Sequence, residues 1–511
     1  MTIQVGQQRF ELEYVEFSAK YLLYGILLGF FRIFWLIGKT SQLFSAEPLD
    51  WIETVSGVLA AAMFAYMLVG LIFIFEAYRR MGAGENEPVS PLILNTVGVV
   101  LMWAFTMRVA SVLDATPLQF VTWSRLLVNG TIQGGVYALI ALGYTLVYGI
   151  LFMINFAHGE VVMFGAYAGY LSMQLLISGG DRSFEDGATA IATFVVPFAV
   201  GVMFLPLERL FTGYTNRKAT NFQTPEWLFT LFSTPVRFVV GYAAGYGAFV
   251  GLGGYAPHVY LVVITAVGVM FAMVCGMAVS MLLSIALENV AYRPLRKAPR
   301  LAPLISAIGA SIFLQQVALR IFGGNRQAYP SARLLSDPTT FDVSLGRLGV
   351  LGISKVGTLI VITSVLLMIL LYVIVQRTKM GKAMRAVAQD KSTAALMGIN
   401  VDRVIVFTFM LGAALGGAAG VMLGLRSEKI YFKFGFLPGL KAFTAAVLGG
   451  IGSIPGAMFG GFFLGIVESL GPNLLGFGDQ WKDAIAFGLL VLVLIFRPSG
   501  IFGAASEIKK V

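Results

Sequence analysis

Long apolar stretches alternate with short polar ones along almost the whole of this 511-residue chain. A helix that crosses the hydrocarbon of a bilayer needs about 20 predominantly apolar residues. Stretches of that kind fall at residues 21–37, 53–75, 92–113, 126–150, 159–178, 188–207, 236–256, 259–287, 302–322, 349–375, 404–425, 440–470 and 483–497. The pattern predicts an all-α fold, a polytopic transmembrane helical bundle with roughly 11–14 membrane segments. The first stretch carries Arg32 and the seventh is rich in glycine (Gly241, Gly245, Gly247, Gly251), so each either spans the bilayer or lies in its interface.

The polar intervals give the bundle a sidedness. Arg293, Arg296, Lys297 and Arg300 fall in one interval, and Arg377, Lys379, Lys382, Arg385, Lys391 and Arg403 in another. Two predicted spans separate these intervals, so they share a face, and their basic bias makes that face cytoplasmic. Residues 323–348 then face outward. Arg497, Lys509 and Lys510 place the C-terminal end on the cytoplasmic face too, which requires an even number of crossings after residue 403. The count is even only if residues 440–470 form two segments broken around Gly452, Ser453, Ile454, Pro455 and Gly456. Proline removes a helix donor and glycine weakens a helix, so broken or half-spanning helices belong to the expected bundle.

Composition strengthens the membrane reading and removes other classes. The chain is 58% apolar and 12% charged, too few charges to cover a water-exposed surface. Most of the lysines and arginines behind its net charge of +10 lie in the short intervals between spans, as the positive-inside rule expects, and nucleic acid is not an expected partner. Cys275 is the sole cysteine, so no intrachain disulfide forms, and His158 and His258 alone make no metal site; no cofactor is expected. Glu11, Glu13 and Glu16 precede the first apolar stretch, unlike the basic start of a cleavable signal, and this segment is expected to be retained. Gly38, Lys39 and Thr40 mimic the end of a phosphate-binding loop, but Ile33 stands where its first glycine belongs, so no ATP site and no enzyme activity are expected.

Many of the 59 glycines sit three or four apart inside apolar stretches, including Gly412, Gly416, Gly420 and Gly424, then Gly456, Gly460, Gly461 and Gly465. In lipid, close backbone contact through small residues is a main force joining helices, so these stretches are expected to pack on one another.

Two places carry candidate chemistry. Asn155, His158 and Glu160 stand beside an apolar stretch, and ionisable groups at membrane depth turn toward a cavity or a partner. An irregular backbone there, with Ser453 and Pro455 in the second interruption, points to a transport pathway; the structural alternative is that these residues hydrogen-bond neighbouring helices and cap an end. The second place is Met380–Asn400, where Met384, Val387, Ala388, Ala394, Ala395 and Met397 recur at near-helical spacing among polar residues and Gly398 follows as a stop. Such a helix docks in a partner's groove or lies at the lipid headgroups. Glu288 and Glu468, at the ends of apolar stretches, are expected to be interfacial or locally paired, Glu288 with Arg293.

The run S-T-A-A-L-M-G-I-N (Ser392–Asn400) resembles the coupling segment of bacterial ABC importer permeases, E-A-A-x-x-x-G, with Ala394 and Gly398 matching, Ser392 in place of Glu and Thr393 in place of the first Ala. Three further runs, Asn129–Gly149 (N-G-T-I-Q-G-G-V-Y-A-L-I-A-L-G-Y-T-L-V-Y-G), Ile154–Glu160 (I-N-F-A-H-G-E) and Leu448–Ala457 (L-G-G-I-G-S-I-P-G-A), together resemble the branched-chain amino acid type of ABC permease, a family that also includes urea and short-amide transporters. The resemblance covers residues 121–178 and 259–503. It implies a permease core over 121–511 interrupted by an insertion at about 179–258, after an N-terminal extension over 1–120 with up to three transmembrane helices. It further implies a cytoplasmic coupling helix at 380–400 involving Met384, Arg385, Val387, Ala394, Ala395 and Gly398. The implied partners are cytoplasmic ABC ATPase subunits, a second permease subunit, an external solute-binding protein and the lipid bilayer, at a bacterial inner membrane. An ion-coupled secondary transporter with Glu160 as proton or cation partner, and a non-transporting membrane scaffold, stand as alternatives.

Overall fold

The computed structural model describes residues 108, 109, 112, 120–151, 153–177, 183–204, 226–296, 298–299, 301–330, 332–336, 339–346, 349–496 and 500–502. The stretches at 21–37 and 53–75, and nearly all of 92–113, lie outside the described residues, as do the Gly38–Thr40 motif and the N-terminal glutamates.

The described chain is a helical bundle. In order come α1 (Phe120–Leu151), α2 (His158–Ile177), α3 (Phe184–Phe204), α4 (Glu226–Tyr255) and α5 (Pro257–Leu287), which continues as a π turn (Glu288–Tyr292) and a 3-10 turn (Arg293–Leu295). Then follow α6 (Leu301–Phe322), β1 (Gln327–Ala328), the short α7 (Arg333–Ser336), β2 (Thr340–Ser344), β3 (Val350–Ser354) and α8 (Lys355–Arg377). The last part holds α9 (Lys379–Gln389), α10 (Lys391–Leu396), α11 (Val401–Ser427), β4 (Lys429–Ile430), α12 (Phe436–Gly449), α13 (Ile454–Leu475) and α14 (Lys482–Phe496). Eight of the described helices are long and apolar enough to cross a membrane.

Two small antiparallel pairings join the all-helical plan: β2 with β3, from Thr340↔Ser354 to Ser344↔Val350, and β1 with β4. Apolar residues at the start of the 349–375 stretch therefore belong to a hairpin, and α8 begins at Lys355, where the Ser354 hydroxyl accepts from the Gly357 N–H at 3.2 Å.

The centre is built from α1 and α11. In their most apolar windows 83% and 78% of residues are buried, against 28% for α8, whose Ile362, Leu366 and Leu370 are exposed. Glycines set this arrangement. A Cβ on Gly134 would fall 2.6 Å from Cα of Phe462, and one on Gly130 2.7 Å from Cα of Ile466, so α1 and α13 touch backbone to backbone. Gly417 packs on the Gly276 carbonyl of α5 and Gly420 on the Val162 carbonyl of α2. Each of the eight singled-out glycines is in close contact with another segment, the small-residue packing that membranes favour.

The interruption in 440–470 falls at Gly450–Ser453, with Gly450 and Gly452 at φ +102° and +96°. It separates a half-length helix of 14 residues from a full span of 22. Arg296 pairs with Asp402 at the head of α11, so the 288–300 and 376–403 intervals occupy one end of the bundle. Gly452 lies beside Gly149 near the end of α1, and the N–H groups of Ile501 and Phe502 donate to the carbonyls of Leu448 (2.9 Å) and Gly449 (3.1 Å).

Candidate translocation site and docking segment

α1 ends at Leu151, residues 153–157 are irregular, and α2 begins at His158, whose N–H donates to the Asn155 carbonyl at 3.0 Å. This connection does not stay at the end of the bundle. The His158 ring fills the space left by the missing side chains of Gly143 and Gly416 and meets the Tyr144 ring edge-on at 4.8 Å. Gly143 lies about 12 Å of helix before Leu151, at 1.5 Å rise per residue. The chain turns back into the bundle before α2 starts, which apolar periodicity does not reveal.

The three polar residues around this turn are all buried: Asn155 is 2% exposed, His158 3% and Glu160 0%. The Tyr292 hydroxyl donates to Asn155 Oδ1 at 2.6 Å. Glu160 Oε1 accepts from Gln315 Nε2 at 2.8 Å and Ser311 Oγ at 3.2 Å, both on α6, while its Oε2 and the His158 Nε2 have no partner. Among the described residues no cation pairs with Glu160. A buried carboxylate oxygen without donor or counter-charge is costly, and the arrangement suits a visiting ammonium or amide donor. Ser453 and Pro455 start α13 instead: the Ser453 hydroxyl accepts from the Gly456 N–H at 3.2 Å, and Pro455 is exposed in the first turn, where its missing donor costs nothing. No hydrogen bond joins either to Asn155, His158 or Glu160 among the described residues.

At one end of the bundle α9 and α10 form a bent pair. Thr378 caps α9, accepting from the Gly381 N–H at 3.0 Å, and Gly381 packs on the Val375 carbonyl where no side chain fits. Asp390 caps α10: Oδ1 accepts from the N–H groups of Ser392 (2.8 Å) and Thr393 (3.2 Å), and both hydroxyls donate to the carboxylate. Hydrogen bonds from the Ser392 and then the Thr393 side chain hold this carboxyl well below the usual carboxylate range. Met397 and Gly398, the latter at φ +83°, end the helix, with the Ile399 N–H reaching back to the Ala394 carbonyl at 3.1 Å.

The structure sorts the six coupling candidates by burial. Met384 (3%), Val387 (1%) and Ala394 (4%) face the bundle's own helices, and Arg385 donates to the Val375 carbonyl and to Gln376 Oε1. Ala395 and Gly398 are exposed, and between them stand Leu396, 87% exposed, and Met397, 78% exposed. The amphipathic pattern identifies a face without saying which side of the interface it belongs to, so Leu396 escaped it and Met397 was only one apolar position among several.

Two ionic clusters differ from expectation. Glu288 pairs with Arg296, eight residues on, rather than with Arg293, which reaches Asp402 at 3.4 Å. The π turn changes the register in which side chains after Glu288 emerge. Glu468 is not interfacial: Oε1 accepts from Lys441 Nζ at 2.7 Å and Oε2 from the Tyr137 hydroxyl at 2.8 Å, while Lys441 also pairs with Asp483 at 2.5 Å. Lys441 comes from α12, Glu468 from α13, Asp483 from α14 and Tyr137 from α1. Partners so distant in sequence leave no local signal.

A many-spanning bundle with a half-length helix, polar groups buried at an irregular turn and an exposed apolar knob between basic helices defines a multi-pass membrane protein of the permease class. The family described as the branched-chain amino acid transport system permease component matches residues 126–211 and 226–494. The high-affinity branched-chain amino acid transport system permease protein BraD of Pseudomonas aeruginosa is 39% identical over 385 residues, covering 75% of this chain and 97% of that protein. LivH of Escherichia coli, with the same description, is 37% identical over 398 residues, 77% of this chain and 99% of that protein. A probable LivH permease of Methanocaldococcus jannaschii is 31% identical over 341 residues, 64% of this chain and 95% of its own length. The chain belongs to the branched-chain amino acid permease family, the transmembrane permease components of ABC transport systems. No solved structure matches it.

Proposed function

We propose that this chain moves branched-chain amino acids, or similar small polar solutes such as urea and amides, inward across a bacterial inner membrane, with ATP hydrolysed by cytoplasmic ABC ATPase subunits. In this reading a second permease subunit completes the passage and an external solute-binding protein delivers the solute. Residues 1–120 are an extension and 179–258 an insertion on the permease core. The face carrying α9, α10 and residues 500–502 is cytoplasmic, in keeping with its lysines and arginines.

The observation that carries this reading is the knob at Leu396 and Met397. Two large apolar side chains stand almost fully exposed on a capped turn that is itself anchored by Met384, Val387 and Ala394. A rigid, preorganised apolar tip between basic residues suits a groove on a partner. Arg385 and the buried residues then fix the tip to α8 and α11, so closure of the ATPases moves those helices. Asn155, His158 and Glu160 are the pathway residues, with Ser453 and Pro455 at the second interruption beside them in role; Glu160 Oε2 offers the substrate ammonium an acceptor.

The experiment is Leu396→Asp in the assembled importer. Because the side chain touches little of its own chain, membrane abundance should stay at the wild-type level while ATPase subunits no longer co-purify and uptake stops. Co-purification at wild-type yield would sink the docking assignment. Uptake driven by an ion gradient with this chain alone would favour the secondary-transporter reading instead.

A further inference from the structure

The ion pairs at the end of α5 lie between the docking segment and the pathway residues, and neither of those roles uses them. Arg296, whose side chain is 16% exposed, stands between two carboxylates on different elements. Its NH2 group donates to Glu288 Oε1, and its NH1 group reaches Asp402 Oδ1 at 2.5 Å. Glu288, fully buried, opens the π turn; Asp402 lies in the first turn of α11, just past the Asn400 cap that closes the docking segment. The same π turn ends on Tyr292, also fully buried, whose hydroxyl holds Asn155 Oδ1 at 2.6 Å and whose ring stacks on Phe409 of α11 at 5.6 Å. One five-residue turn is thus tied at its first residue to the exit of the docking segment and at its last to the Asn155 connection.

Two features let this element take a second arrangement. Arg296 Nε and Glu288 Oε2 are both buried without a partner, although their side chains already share one bond. A guanidinium and a carboxylate can close into a two-bond fork. Forming it here would satisfy both orphan atoms, and the rotation of the guanidinium that brings Nε onto Glu288 Oε2 shifts NH1 against Asp402. The π turn itself, closed by the Arg293 N–H on the Glu288 carbonyl, is one residue out of α-helical register, a form that recurs at functional sites. Lys391, the first residue of α10, lies in the field of Arg296: burial, and then that guanidinium, lower its affinity for its proton. Any displacement of α10 changes the charge that Arg296 feels.

We infer that Arg296, with Glu288, Asp402 and Tyr292, is a positioning relay: displacement of the docking segment switches Arg296 from bridging Glu288 and Asp402 to forking Glu288, and the π turn carries that change through Tyr292 to Asn155. The relay rests on the docking and pathway roles proposed above.

The test measures solute moved per ATP hydrolysed by the complete importer in proteoliposomes. Arg296→Lys keeps the charge on one nitrogen and cannot fork; Tyr292→Phe removes only the hydroxyl that holds Asn155. Each should lower the ratio about fivefold or more, the low end of usual coupling strengths, with ATPase subunits retained and still hydrolysing. Combined in one chain, they should do no worse than the stronger single change, since both break the same link. A wild-type ratio in either variant, or effects that multiply in the double variant, overturns the relay while leaving docking intact. Retention of the ATPases by Leu396→Asp overturns docking and the relay together. Should Arg296→Lys fail to accumulate in the membrane, Asp402→Asn, at a half-exposed carboxylate, breaks the same bridge and is judged by the same ratio.

Discussion

The side chains that matter most here are those with one bond fewer than their surroundings offer. Glu160 is held by Ser311 and Gln315 on one oxygen and by nothing on the other, so Glu160→Gln keeps the shape and removes the acceptor charge. Uptake should fall at least about tenfold, a loss of roughly 1.4 kcal/mol or more of substrate interaction, while ATPase subunits still co-purify; wild-type uptake returns Glu160 to a structural role. Gly398 behaves differently from its neighbour Leu396. Open space surrounds it, yet φ +83° makes any other side chain strained, so Gly398→Trp confounds docking with a backbone cost of about 1–2 kcal/mol. Leu396→Asp is therefore the cleaner probe. Asp390 supplies a pH test. Its folded carboxyl is held low, so the cap is fully in force above the unfolded value near pH 4 and fails only as pH drops through the depressed folded value. Amide protection at Ser392 and Thr393 should be unchanged from pH 7 down to about pH 4, and Asp390→Ala should lose it at every pH. At this scale the sequence showed that Asn155, His158 and Glu160 are out of place in an apolar setting. It could not show that Met384 and Val387 face their own bundle, because burial against self and burial against a partner share one pattern.

Among helices, glycine decides who touches whom. Gly420 meets the Val162 carbonyl and Gly460 the Ala445 carbonyl, whereas Gly247 and Gly309 have nothing within 4 Å. Gly420→Leu and Gly460→Leu should abolish accumulation of folded protein, and Gly247→Leu and Gly309→Leu should leave it near wild type, as size-exclusion profiles of detergent-solubilised protein would report. The glycine-spaced stretches were legible as packing surfaces since lipid offers helices little else to join them. The interruption near Pro455 was legible from crossing parity and from the breakers themselves. What escaped was length: α12 is short because β4 and residues 431–435 have already carried the chain back into the bundle, and that descent has no hydropathy signature. The Glu288 pairing escaped for a related reason, since a π turn cannot be read from residue spacing that assumes an α register.

For the molecule as a whole, the Lys441, Glu468, Asp483 and Tyr137 cluster joins four helices through two ion pairs and a hydrogen bond. Removing one partner of a buried pair costs about 3–5 kcal/mol because the other charge is stranded. Lys441→Met should therefore lower the Tm in detergent sharply, and adding Glu468→Gln to it should restore part of the loss; two losses that simply add would mean the pair does not act as a unit. Fold class and family were both readable before any geometry, because spans, loop charge and three separated runs agree with one another. The assembly of residues far apart in the chain was not. The bonds from Ile501 and Phe502 to Leu448 and Gly449 close the free carbonyl end of α12. Gly449 precedes Phe502 by the whole of α13 and α14, so the end of α12 gains these two donors only once both helices have been made. Chains truncated before residue 500 should therefore leave that end unsealed and accumulate to a lower level in the membrane, as immunoblots of truncation variants would report.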